Sequence, residues 1–218
     1  MLIIFVKSCC PQAFLVIIVA LRLASILNDI SDIEVKDLIE RYGAPKRLSY
    51  KTKFLDFECG LIRSSQQKGR LHDVTCFIRH QSGGYVVIQK HQYGRSGIYR
   101  APSGGSVIGE SIEEAAIREM REETGLDIKL TQFILDLSLD IICGSERIPW
   151  RSLIFLAEII GGEMKPIDTF EIFDVKIMTR DELLGGVDRL MQESGWGGFA
   201  YRSFLTREFF KALDELHI

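Results

Sequence analysis

The sequence lacks a basic excess: 27 Lys and Arg stand against 30 Asp and Glu, a net charge of -3. A dedicated nucleic-acid module needs a cationic stripe to follow the phosphates, so that class is disfavoured. Cysteine is scarce too. There are five, and Cys59, Cys76 and Cys143 stand far apart with no CxxC pair, which argues against a disulfide scaffold or a zinc site. On that count the body reads as a reduced, cytoplasmic protein. Internal repeats and low-complexity segments are missing, which removes solenoids and arrays. Disorder and an all-helical membrane bundle are excluded by 46% hydrophobic and 26% charged residues. What is left is one globular domain of mixed α and β class, with something small attached, since domains run to about 100–200 residues.

One absence is local. Residues 1–27 contain no acidic side chain, and the run Ala13 to Leu21 is apolar throughout. A bilayer span needs about 18–20 such residues, so this run resembles the core of a signal peptide more than a full span. Three readings stand: a signal or membrane anchor, a helix packed on the domain or a partner, and, preferred, an extension from a misassigned start codon. The expected division is therefore an apolar extension over 1–27 and a domain over 28–218.

The domain carries clear punctuation. Ser31-Asp32-Ile33-Glu34 has capping-box form and Gly43 and Pro45 follow Tyr42, which predicts a short helix. Tyr50 to Arg63 is expected as a β-prone stretch and Ser64 to Arg70 as a polar loop. Asp73 to Arg79 and Tyr85 to Lys90 flank Gln81-Ser82-Gly83-Gly84, a hairpin signal. Trp150 to Ile160 and Phe170 to Met178 read as strands, and a capping box at Thr179 to Glu182 starts a short helix. Gly195 to Gly198 is expected as a flexible loop, and the apolar spacing of Phe209, Phe210, Leu213 and Leu216 closes the chain on a helix.

The chemistry lies in Gly104 to Leu126. Ser111-Ile112-Glu113-Glu114 is a further capping box and Gly125 sits where a helix end wants positive φ, so Ile112 to Thr124 is predicted as one helix. At 100° per residue Glu119, Glu122 and Glu123 share the face of Ile112, Ala115 and Ala116. Like charges at i,i+3 and i,i+4 repel, and a hard divalent cation, Mg²⁺ or Mn²⁺, would relieve them. On this reading the small alanines leave room for ions and a phosphate. An isolated acidic helix facing solvent would not explain the glycine-rich lead-in.

Gly104, Glu110, Arg118-Glu119-Met120, Glu122-Glu123, Gly125 and Leu126 resemble a complete Nudix box, Gx5ExxxxxxxREUxEExGU with U aliphatic. The resemblance implies an α+β fold of the Nudix αβα-sandwich type with a mixed sheet. It also implies metal-dependent cleavage of a nucleoside diphosphate linked to another group, with water attacking phosphorus. By the family pattern Glu119, Glu122 and Glu123 hold the metal, helped by the Gly104 carbonyl, and Glu110 pairs with Arg118 to fix the loop on the helix. The general base stays open between a box glutamate and a later loop acid, Glu163, Asp168 or Glu171. Many members are dimers, so the resemblance admits a homodimer.

Departures bear on the substrate. Ser103 stands where many members carry Gly or Ala, and Arg100 where an apolar residue is common, so Arg100 is a candidate phosphate contact or a surface charge. A proline shortly after the box, frequent in members that cleave ADP-ribose, is missing until Pro149. Trp196, Tyr201 and Arg202 are candidates to stack on a base and hold a phosphate, beside a packing role. The four histidines show no ligand spacing. Small-molecule nucleotide-type pyrophosphates are thus the expected substrates. The rivals are a nucleotide-sensing Nudix-fold binding module and a hydrolase of a non-nucleotide polyphosphate or capped RNA.

Overall fold

The structure, a computed structural model, describes residues 31–107 and 109–218. The extension expected at residues 1–27 lies outside them. The chain runs α1 (Asp32–Tyr42), β1 (Lys46–Lys53), α2 (Asp56–Gln67), β2 (His72–Arg79), β3 (Tyr85–Lys90), β4 (Ser103–Gly104), α3 (Ile112–Thr124), β5 (Leu126–Cys143), β6 (Glu146–Gly162) and β7 (Ile172–Met178). It ends in α4 (Arg180–Glu182), a π-turn, α5 (Asp188–Glu193) and α6 (Gly197–Leu216). No helix among the described residues is long and apolar enough to cross a membrane.

The sheet order is β1-β5-β6-β2-β3-β7, with β4 on β2. The β1/β5 and β2/β6 pairs are parallel and the others antiparallel, so the sheet is mixed. Alternation along the central strands feeds two cores. Phe77 and Ile154 face a core shared with Phe209 and Phe210 of α6. Val74, Cys76 and Phe155 face a second core with Val35 and Leu38 of α1 and Ile112 and Met120 of α3. Helices therefore cover both faces, as in an αβα sandwich. Phe77 stacks on Phe209 with centroids 3.7 Å apart.

Several expectations need correction. β1 stops at Lys53, and the rest of the stretch expected as strand and loop is α2. Glu58 is the reason: its carboxylate accepts the backbone N–H of Leu55 at 2.9 Å, capping α2. It also accepts Gly197 and Gly198 N–H at 3.1 and 2.8 Å, partners far along the chain. Gly195 to Gly198 is not all loop, because α6 begins at Gly197, where an added Cβ would meet the Lys53 carbonyl oxygen at 2.1 Å. β5 is a long strand that turn signals did not mark. The cysteine reading also fails: Cys59 of α2 and Cys143 at the end of β5 form a disulfide across 84 positions, because spacing in sequence does not measure separation in a fold. Cys76 is the free, buried cysteine among the described residues.

Candidate active site

The helix of the box is built by its own caps. Ser111 Oγ accepts Glu114 N–H and the Glu114 carboxylate accepts Ser111 N–H, two otherwise orphaned donors satisfied together. Gly125 ends α3 at φ 77°, and a Cβ there would meet the Lys165 carbonyl oxygen at 2.1 Å, so glycine is required twice over. α1 steadies the helix start: Glu34 accepts Ile112 N–H at 2.6 Å, and Tyr42 and Arg41 donate to Glu113.

The buried face of α3 carries Ile112, Ala115, Ala116, Glu119, Met120 and Glu123. Ala115 and Ala116 are fully enclosed in the core beneath the sheet, so their small size brings helix and sheet together and leaves no room for an ion. The carboxylates emerge further along. Glu123, 3% exposed, accepts Ser103 N–H at 2.8 Å and faces the Lys90 ammonium at 3.1 Å. Glu119 lies against Gly104 so closely that a Cβ on that glycine would sit 1.9 Å from its carboxyl carbon. Burial raises the Glu119 pKa above the ordinary carboxylate range, and the Arg118 guanidinium, 3.0 Å away, opposes this.

Glu122 is nearer solvent, its side chain 47% exposed and 3.1 Å from Arg118. Arg118 forks onto Glu110 with two bonds of 2.8 Å and donates to the Gly105 carbonyl at 3.0 Å. The Arg118 hydrogen bonds hold the Glu110 carboxyl below its usual pKa. The β4-to-α3 loop is thereby pinned to the helix.

Glu119, Glu123, Lys90 and the Ser103 to Gly105 backbone floor an open cleft of about 490 Å³, also lined by Arg100, Tyr201 and Arg202, while Glu110, Arg118 and Glu122 stand outside its lining. Arg100 is buried, which removes the surface-charge alternative; it donates to the Tyr93 hydroxyl and to Ser103 Oγ. Arg202 donates to Thr75, Asp73 and Ser103. Tyr201 donates its hydroxyl to Ser152, and burial pushes that hydroxyl's pKa up. Trp196 stacks on Phe199 at 4.9 Å. The three loop acids separate clearly. Glu171 lines the cleft and shares the Lys90 ammonium with Glu123. Asp168 caps its own loop by accepting Phe170 and Glu171 N–H, and Glu163 is exposed outside the cleft.

Sequence reasoning missed Lys90, Asp73, Arg70 and Phe57, all cleft residues. No motif surrounds them, and only the pairing of β2 with β6 and of β3 with β7 and the docking of α2 bring them in. His72 is buried, with Nε2 2.7 Å from Ser106 Oγ.

The oxygen donors of Glu119, Glu122 and Glu123 suit a hard divalent cation. Among the described residues no three His, Cys, Asp or Glu side chains are already gathered as a metal cluster. Glu122 and Glu119 are turned to Arg118 and Glu123 to Lys90, so these cations occupy the charge that a metal would neutralise.

Comparison with known proteins finds relatives in one family. A curated NAD-capped RNA hydrolase NudC from Vibrio vulnificus is 29% identical over 134 residues, 59% of this chain and 46% of the relative. An ADP-ribose pyrophosphatase from Methanocaldococcus jannaschii is 32% identical over 96 residues, 41% of this chain and 54% of the relative. The chain thus spans about half the length of these relatives. A crystal structure of UDP-X diphosphatase overlaps 81% of this chain and 74% of its own with a TM-score of 0.42 at 18% identity. Members of the Nudix family generally use divalent metal ions. The NUDIX domain model matches residues 69–195, more than half of the sequence and the whole of the box with its cleft floor, and the chain belongs to that family.

Proposed function

We propose that this chain is a divalent-metal-dependent pyrophosphohydrolase acting on a nucleoside diphosphate linked to another group. The observation that carries it is the pair of buried carboxylates, Glu119 and Glu123, set against the backbone of Gly104 and Ser103 at the floor of the cleft. A carboxylate is rarely buried without a strong reason. Glu119, Glu122 and Glu123, with the Gly104 carbonyl, would hold Mg²⁺ or Mn²⁺. A bound cation supplies charge neutralisation on the phosphoryl oxygens and lowers the pKa of a water.

The protein's own groups do the rest. Arg118 fixes the box loop through Glu110 and Gly105. Lys90, held between Glu123 and Glu171, would turn toward an incoming phosphate once a metal takes up the Glu123 charge. Arg100 and Arg202 add two guanidinium groups on the cleft wall beside Ser103. Among the loop acids, Glu171 is the one placed to take a proton from water, because it lines the cleft and the other two do not. The two relatives' names denote compounds built on an adenosine diphosphate, which supports a nucleotide-type substrate. The cytoplasmic location is a separate expectation, and the disulfide weighs against it because reducing compartments rarely keep such bonds; free-thiol titration of protein from its native host decides it.

The test is an Mg²⁺ and Mn²⁺ assay of nucleoside triphosphates, ADP-ribose, NADH, nucleotide sugars and dinucleoside polyphosphates, beside Glu122→Gln and Glu171→Gln. No turnover by the wild type, or equal turnover by Glu122→Gln, sinks the reading. Full activity in Glu171→Gln returns the base to the box. The nucleotide-sensing binding module is the second reading. It predicts nucleotide binding with no turnover of any compound.

A further inference from the structure

The cleft has two walls of different origin. One is the box wall, within residues 69–195. The other is α2 together with the start of α6, and both α2 and Trp196 fall outside the family match. On this second wall Phe57 and Leu61 are 43% and 52% exposed and line the cleft, an apolar patch beside its charged floor. Trp196 lies flat on Phe199 (interplanar angle 11°) and meets Phe57 edge-on at 4.8 Å and 71°. The two rings form an open aromatic corner.

That corner is rigidly joined to the metal end. Phe199 packs edge-on against Tyr93 at 5.0 Å, Tyr93 accepts Arg100 at 3.0 Å, and Arg100 stands 4.0 Å from Glu123. The wall is also fixed in advance. Glu58, beside Phe57, clasps the start of α6 through Gly197 and Gly198, and Cys59 ties α2 to β5. Elements held this firmly lose little freedom on binding, which favours a recognition surface.

We propose that Phe57 and Trp196 are specificity-determining residues that hold the planar base of a nucleotide ligand. A base stacking on one ring meets the edge of the other, the arrangement that aromatic quadrupoles prefer. Glu58 acts as a positioning residue, because it holds both α2 and Trp196 by backbone bonds and touches no ligand itself. This rests on the proposed hydrolytic function only for the kinetic part of its test.

The direct test needs no metal and no turnover. AMP is titrated calorimetrically into wild type, Phe57→Ala, Phe57→Tyr and Trp196→Ala, with ribose 5-phosphate as the ring-free probe and thermal melts to confirm folding. Each alanine variant is expected to weaken AMP binding by about tenfold, the order of one lost base–aromatic stack, while Phe57→Tyr keeps the wild-type affinity. AMP should also quench the wild-type tryptophan emission, and the quench should shrink in Trp196→Ala to the share of Trp150, the cleft's other tryptophan. With Mg²⁺, Phe57→Ala should raise KM for ADP-ribose about tenfold at little change in kcat, and leave KM for phosphoribosyl pyrophosphate unmoved. No AMP binding by the wild type, or equal AMP affinity in wild type and Phe57→Ala, overturns the assignment. Equal losses for ribose 5-phosphate do so too. Intact AMP binding with no hydrolysis of any compound would instead leave the aromatic corner standing and remove the catalytic reading.

Discussion

The two walls of the cleft differ in how their residues come together. On the box wall, Gly104 to Leu126 carries its helix caps, its paired Glu110 and Arg118 and its carboxylates within one short segment. On the opposite wall, Phe57, Glu58 and Cys59 meet Cys143 and Trp196 to Gly198 only after the sheet has formed. A chemistry that every family member needs can be encoded locally. A recognition surface that differs between substrates can be assembled from whatever segments the fold brings near.

The sharpest separation of the walls is by substitution on the first. Glu123→Gln keeps an oxygen that can accept the Ser103 N–H, so the fold should survive. The lost charge should lower kcat by about 10³-fold, near 4 kcal/mol of transition-state stabilisation. Steady-state kinetics beside a thermal melt reads both. A variant that melts with the wild type yet keeps its activity would break the assignment of this wall to catalysis.

The second wall should fail in the other manner. Removing the disulfide with Cys59→Ser and Cys143→Ser releases a loop of 84 positions, and chain entropy puts the stability loss at about 4.5 kcal/mol. Because the bond anchors α2, KM should rise more than kcat falls. Urea unfolding gives the first quantity and kinetics the second. Equal urea midpoints for the wild type with and without dithiothreitol would show that the bond does not hold this wall. A smaller effect, about 2 kcal/mol, is expected for Gly197→Ala, since its Cβ would press on the Lys53 carbonyl oxygen, a backbone atom that cannot turn aside.

The same contrast explains what the sequence made legible. The bounds of α3, the hairpin of β2 and β3 and the helix after Ser31 rest on caps, turns and periodicity, which act over a few residues, and the αβα class rests on the family resemblance of the box. α2 was misread because its cap is Glu58, whose carboxylate is shared with the start of α6 across the molecule, and because Phe57 and Leu61 point to the cleft and blur the helical stripe. Ala115 and Ala116 were placed on the correct face but given the wrong task, since facing the carboxylates' side of the helix is not the same as facing the cleft. Lys90 and Asp73 had no signal at all. Their importance comes from strand pairing with partners far along the chain.

Within the box wall itself, two glutamates should respond to pH in opposite senses. An unfolded glutamate titrates near about 4.3. The Arg118 hydrogen bonds lower the folded value of Glu110, so its contribution to stability is complete above the unfolded pKa and is lost as pH falls through the lower folded one. Burial raises the folded value of Glu119, so its contribution is complete below the unfolded pKa and is lost as pH rises through the raised one. Metal-free melts from pH 3 to pH 8 should therefore show Glu110→Gln less stable than wild type at neutrality and Glu119→Gln more stable, with both differences shrinking toward acid. Added Mg²⁺ should reverse the order for Glu119→Gln, because the wild type alone then gains a ligand for its buried charge. If Glu119→Gln melts below the wild type at pH 7 without metal, the buried carboxylate is no liability to the fold, and the argument from its burial to a cation fails with it.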